Sequence, residues 1–174
     1  MSDDLVLIKN IKKLFCGTGL IAKRGRNPHT VDLDTKERVD IVFRKSDSRV
    51  LKIDTKIDDS LETYDASENI VCPAWIDSHT HSIFGGQRSA EYFMRWADSS
   101  YEDIAKRGGG IYNTVKDTHA KSDSELIKET LSRLKKMRIS GSSVVEIKTG
   151  YSNSAEQELR LLRLLSQIKT HADK

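Results

Sequence analysis

Three features of the sequence predict an α/β fold. Residues 1–69 hold short strand-like runs separated by polar turns, with no helical period. Ile70–Ile76 is a continuous apolar, β-prone run, the pattern of a strand covered on both faces. Beyond it, helical segments alternate with a second strand, Ser143–Lys148, the order expected of parallel strand–helix–strand units.

The elements follow in order. Leu5–Ile8 opens the first strand, and Ile11–Phe15 continues it until Gly17-Thr18-Gly19 breaks it. Val39–Arg44 alternates as a half-buried strand, and Arg49–Asp54 is a third. Together they predict a small antiparallel β region over residues 1–69. Pro73 is tolerated near the start of the 70–76 strand but not at its centre. Ser89–Arg107 reads as helix and is interrupted by Gly108-Gly109-Gly110. That run lacks the Lys-Ser/Thr ending of a phosphate loop, so a tight turn and an anion cradle both stay open. Ser122–Arg138 is a second helix. Ser122 and Glu125 form its capping box, Ile127, Leu131 and Leu134 line one face, and Leu126, Thr130 and Met137 flank it. Gly141 ends it. After Ser143–Lys148, a second box, Ser154 with Gln157, opens a helix that carries Leu159, Leu162 and Leu165 and ends near Lys169.

Composition excludes several classes. A hydrophobic fraction of 37% and a charged fraction of 32% exceed the polarity of a membrane protein and the apolar poverty of a disordered one. The longest apolar run is far short of the roughly 18 residues of a membrane helix. The net charge of +3 comes from interspersed signs. The one basic cluster, Lys23-Arg24-Gly25-Arg26, has no interleaved aromatics and reads as a solvated loop, so no nucleic-acid partner is expected. The acidic start, Met1-Ser2-Asp3-Asp4, has no apolar segment after it and is not expected to be a secretory signal. Two cysteines, Cys16 and Cys72, make no disulfide framework and suit a reduced, cytoplasmic setting; Cys72 reads most simply as a buried small residue.

His79 and His81 carry the chemistry. Residues i and i+2 of a strand share a face, so two imidazoles at a strand end can reach one metal ion. On spacing alone the pair is also compatible with two structural histidines, and a hydrolytic zinc site needs a third protein ligand. His29, His119 and His171 sit in polar contexts and read as surface residues. Glu146 and Lys148 share a strand face and are expected to pair with each other rather than to ligate metal.

The stretch Pro73-Ala74-Trp75-Ile76-Asp77-Ser78-His79-Thr80-His81 resembles the first barrel strand of the amidohydrolase superfamily. With Phe84–Arg88, Gly108–Ile111, Thr114-Val115 and Glu146–Tyr151, it resembles the imidazolonepropionase family within it. Ala74 stands where that family usually has glycine, and Trp75 is bulkier than usual. The resemblance implies part of a small β-sandwich over 1–69 and the first two or three units of a (β/α)8 barrel over 70–174. It implies one divalent metal, zinc or iron, on His79 and His81. It implies that Arg88 and Tyr151, with Tyr101 as a further pocket residue, bind 4-imidazolone-5-propanoate. The implied reaction is hydrolytic opening of that ring by metal-activated water, giving N-formimino-L-glutamate in histidine degradation. The resemblance also admits a homodimer. Taken without the family, Arg88 can be an ordinary surface arginine and Tyr151 a plain turn tyrosine.

Length sets a limit on this expectation. A closed barrel needs about 250 residues, so the chain is expected to be an N-terminal portion. No general base is expected within it, nor activity of the chain by itself. Two other readings stay open: a non-catalytic remnant or interaction module, and another metal-dependent amidohydrolase such as a deaminase or cyclic amidase.

Overall fold

The computed structural model describes residues 4–17, 33–57 and 61–172. The basic cluster at 23–26 and His29 lie outside the described residues, as does the side chain of His171. The chain divides into two compact units, Met1–Pro73 and Ala74–Lys174.

The first unit is a five-stranded sheet built around β1 (Leu5–Phe15). β2 (Thr35–Arg44) and β3 (Val50–Asp54) pair antiparallel in the order β1-β2-β3. On the other edge of β1, β4 (Glu62–Asp65) and β5 (Ile70–Val71) run parallel to it. The sheet is therefore mixed, not antiparallel as expected. The reason lies at Asn10, whose φ of 57° bulges β1 between Ile8 and Ile11. β4 pairs with the segment before the bulge and β5 with the segment after it. Ala66 fills the gap, donating its N–H to Lys9 O and accepting from Lys12 N. Asp40, buried in β2, accepts from the N–H groups of Asn10 and Ile57 and so fixes both the bulge and the backbone just after β3. Ile11, Leu14, Val39, Ile41 and Ala66 form the core of this unit.

The single strand expected at 70–76 is two strands. Ile70 and Val71 pair with β1, while β6 (Trp75–Thr80) pairs with β7 (Ser142–Ile147), parallel, in a separate sheet. Pro73 explains the split: it carries no N–H for a ladder and ends the first pairing. β6 pairs with β7 alone among the described residues, and Trp75 and Ile76 are 65% and 71% exposed rather than covered on both faces. Cys72, in the connector, is exposed rather than buried.

Between β6 and β7 lie four helices, α1 (Ser89–Trp96), α2 (Tyr101–Lys106), α3 (Ile111–Ala120) and α4 (Asp123–Ile139); α5 (Ala155–Ala172) follows β7. The helix expected over 89–107 is thus two. Asp98, at φ 58°, turns the chain, and Ser100 restarts a helix in a reciprocal capping box with Asp103. Ser122 caps α4 as expected, with Glu125 completing its box. The Ser154 box is only half made. Gln157 N donates to Ser154 Oγ, but Ser154 N donates to Ser152 Oγ and the Gln157 side chain accepts from Arg160.

The core of the second unit is Ile83, Leu126, Leu161 and Leu164, with Ile127, Ile147 and Leu165 packed against it. Both helices are rotated from the expected faces. In α4, Leu126 and Thr130 are fully buried and Ile127, Leu131 and Leu134 only partly so. Thr130 can be buried because its hydroxyl donates to Leu126 O one turn back. In α5, Leu161, Leu164 and Ile168 face inward, while Leu159 and Leu162 are about half exposed. The inward face packs against Leu126 and Ile83, and Arg160 adds hydrogen bonds to Asp123 and Lys121 O at the start of α4. No helix among the described residues is long and apolar enough to cross a membrane.

Leu126→Ala should cost about 2–5 kcal/mol in chemical denaturation of the chain. Leu162→Ala should cost within about 0.5 kcal/mol. Equal losses would put the inward face of the helix pair elsewhere.

Candidate functional site

The parallel pairing of β6 with β7 brings two loops together at their C-terminal ends. Thr80 pairs opposite Ile147, Lys148 N donates to Thr80 O, and the Thr80 hydroxyl donates to Glu146 O. His79 ends on one side of this junction and His81 emerges just past it, with ring centroids 5.2 Å apart. Both imidazoles therefore occupy one neighbourhood, as their spacing predicts.

His81 is the more enclosed of the two. Its Nδ1 is buried with no hydrogen-bond partner. Gly150 approaches it so closely that a Cβ there would stand 2.8 Å from Nδ1. Tyr151 stacks edge-on against His81 at 5.7 Å between centroids and against Phe84 at 5.8 Å. The next sheet residues are already occupied. Glu146 and Lys148 form the expected ion pair at 2.8 Å, and this hydrogen bond, with the nearby His79 adding a little, holds the Glu146 carboxyl below the usual carboxylate range. Among the described residues there is no group of three His, Cys, Asp or Glu side chains able to hold a metal.

Arg88 sits at the N-terminus of α1. Its Nε and Nη2 both donate to Glu91 Oε2, at 2.7 and 2.6 Å. The other oxygen of Glu91 accepts from Gly110 N at 2.9 Å, so this buried carboxylate joins Arg88 to the glycine run. That pairing raises the Arg88 pKa; the phenols of Tyr101 and Tyr151 lie close enough to add to the effect. The glycine run is a tight turn. Gly108 and Gly110 have φ of 79°, and Gly110 starts α3 near the Tyr101 hydroxyl. Tyr101 itself is 54% exposed. A recess of about 160 Å³ opens among Phe84, Gly86, Arg88, Thr114 and Tyr151. Arg88 and Tyr151 thus line one space, and Tyr151 links it to His81, while Tyr101 is not among the residues lining it.

Three supports of this site carried no signal in the hydropathy pattern. Arg133 reaches from α4 to donate to Ser82 O and Phe84 O, and its guanidinium lies 3.6 Å over the Phe84 ring. Thr118 accepts from Gly85 N and donates to Thr114 O. Glu91 could have been found from its position three residues after Arg88 in a first helical turn. His119, expected at the surface, is half-buried with Nε2 enclosed and unpartnered. A larger open groove, about 840 Å³, lies on the sheet of the first unit; its charges pair as Lys12–Glu68 and Lys13–Glu37, and no histidine lines it.

Paired strand-end histidines thus stand on a parallel β/α frame, beside an arginine and a tyrosine. The sequence corresponds to the N-terminal portion of the imidazolonepropionases. It is 45% identical to imidazolonepropionase of Agrobacterium fabrum over 109 residues, which cover 63% of the chain and 26% of that protein. Against imidazolonepropionase of Bdellovibrio bacteriovorus it is 36% identical over 174 residues, covering 95% of the chain and 41% of that protein. Against that of Pyrobaculum arsenaticum it is 41% identical over 110 residues, 63% of the chain and 28% of that protein. The chain spans about two-fifths or less of the length of these curated relatives. No family model matches it.

Glu91 predicts a pH dependence. Its hydrogen bonds from Arg88 hold the carboxyl below the usual range, against the upward push of burial. A carboxyl lowered in the fold stabilises it above the ordinary glutamate range, and this contribution is lost as pH falls through the lowered value. Thermal melts of Glu91→Gln should therefore show a shallower acid limb than those of the unsubstituted chain, and the two should converge at low pH.

Proposed function

We propose that this chain supplies metal-binding and substrate-binding residues of an imidazolonepropionase, which opens 4-imidazolone-5-propanoate hydrolytically to N-formimino-L-glutamate. The observation that carries the reading is the unsatisfied, buried Nδ1 of His81 beside a glycine that admits no side chain, with Tyr151 and Arg88 on the adjoining recess. A buried imidazole nitrogen is ordinarily hydrogen-bonded, so an unpartnered one suits a ligand. In this reading β6, the helices after it, β7 and α5 are the first units of a (β/α)8 barrel, whose chemistry lies at the C-terminal strand ends.

His79 and His81 would hold one divalent ion, zinc or iron, both of which accept neutral imidazole. When bound, such an ion lowers the pKa of water toward neutrality. The residues of this chain bind and orient. The Arg88 guanidinium offers donors to the propanoate carboxylate, for which its planar fork is suited. The Tyr151 hydroxyl donates to the same ligand between Arg88 and the histidines. The proton transfers of ring opening are assigned to no residue of this chain.

The reading is tested in two steps. Dialysed chain should retain well under one zinc or iron per molecule, because two imidazoles fall short of a complete site; a stoichiometric ion would contradict the two-ligand assignment. The chain extended with the remaining portion of the Agrobacterium relative should hydrolyse 4-imidazolone-5-propanoate, and His81→Ala should lower that rate by at least about 100-fold. Faster turnover of a purine or cyclic amide would assign the site to another amidohydrolase, and no turnover of any of them to a non-catalytic role.

A further inference from the structure

We propose that Glu91 is a positioning residue for carboxylate recognition, setting the guanidinium of Arg88 and the Gly108–Gly110 turn as one unit. The inference rests on the reading that Arg88 takes the ligand carboxylate. Glu91 is 9% exposed and makes no contact with the recess itself, yet both its oxygens are committed. Oε2 receives Nε and Nη2 of Arg88, which fixes the plane of the guanidinium as a single hydrogen bond would not. Oε1 receives the N–H of Gly110, nineteen residues along the chain.

The glycine turn is built around this carboxylate. A Cβ on Gly109 would stand 2.9 Å from Oε1 and 2.7 Å from Cγ2 of Ile104, itself fully buried. A Cβ on Gly110 would lie 3.5 Å from the Tyr101 hydroxyl. Through Glu91, the guanidinium of Arg88 and the glycine turn that passes near the Tyr101 hydroxyl share a buried anchor, and neither can shift without disturbing the other.

Electrostatics alone argue the opposite role. An anion paired with Arg88 offsets its charge, so removing that anion should tighten carboxylate binding. Positioning predicts weaker binding, because Gln has a single acceptor oxygen for two sets of donors and must abandon Arg88 or Gly110. The sign of the change separates the two.

The test is an NMR titration of the chain with imidazole-propanoate, and with propylimidazole, which lacks the carboxylate. Glu91→Gln should weaken imidazole-propanoate about tenfold and leave propylimidazole within about twofold. Glu91→Asp keeps the charge but is one methylene too short, and it should lose a similar factor. In an Arg88→Lys background, Glu91→Gln should add little further loss, since it acts through the guanidinium. Unchanged or tighter imidazole-propanoate binding overturns the inference. Equal loss of both ligands, with a lowered melting temperature, reduces Glu91 to a structural staple and overturns it as well. Failure of the functional reading looks different: the unsubstituted chain would then show no preference for imidazole-propanoate over propylimidazole.

Discussion

The pairing of β6 with β7 is the interaction on which the site depends. Parallel strands cannot be joined by a tight turn, so the chain between them must cross over through helices before returning. Here the crossover carries Phe84, Arg88, Tyr101 and the glycine run. Register then decides the chemistry. With Thr80 opposite Ile147, the residues just past each strand are His81 on one side and Gly150 and Tyr151 on the other. A slip of one residue would turn His79 and His81 to the opposite face and replace the close approach at Gly150 with a collision. Three hydrogen bonds hold this register at its end: Lys148 N to Thr80 O, the Thr80 hydroxyl to Glu146 O, and Ser82 Oγ to Thr80 Oγ1.

The segments around the site are irregular, and polar side chains fix them together with the buried Ile83. Backbone carbonyls in such segments need partners once they leave the ladder. Arg133 satisfies two of them, at Ser82 and Phe84, while its charge is compensated by Glu129. Thr118 satisfies Gly85 N, and Glu91 satisfies Gly110 N. Arg133 comes from α4, whose position is set by the apolar core around Leu126 and Leu161, while Thr118 and Glu91 come from α3 and α1. For Arg133 the order of causes runs from core to helix, from helix to polar side chain, and from that side chain to the loop bearing the candidate ligand-binding residues.

That order also explains what the sequence could disclose. The histidine pair, the Ser122 capping box, the Glu146–Lys148 ion pair and the strand after Gly141 are local patterns, and local physics decides them. The inward faces of α4 and α5 are not local. Leu159 and Leu162 fit a helical stripe as well as Leu161 and Leu164 do, and packing against Leu126 and Ile83 chooses between them. The mixed sheet was hidden for a similar reason: a left-handed Asn10 and a buried Asp40 reorganise the far edge of β1, and neither alters the hydropathy pattern. Pro73 was legible as a strand residue to be avoided at a centre; that it separates two sheets depends on where β1 and β7 lie. Arg133 was invisible because a charged residue on a helix surface is the commonest of observations until the carbonyl that it serves is known, whereas the i,i+3 spacing of Arg88 and Glu91 could have disclosed that pair.

The site's donor groups differ in how far they are already committed, and this difference supports assigning them different roles. Glu146 is engaged by Lys148 and Glu91 by Arg88 and Gly110, and each carboxyl is held below the usual range by its partner. A carboxylate in that state resists recruitment, because a new ligand must displace a charge-assisted hydrogen bond. Nδ1 of His81 stands among these satisfied groups with nothing donated to it and no room for a side chain at Gly150 to reach it. Leaving a buried acceptor or donor unpaired costs about 1–3 kcal/mol. Nδ1 of His81, like His119 Nε2, carries this cost, and a ligand at His81 would relieve it. The carboxylates are thus committed to their partners, while Nδ1 of His81 has none.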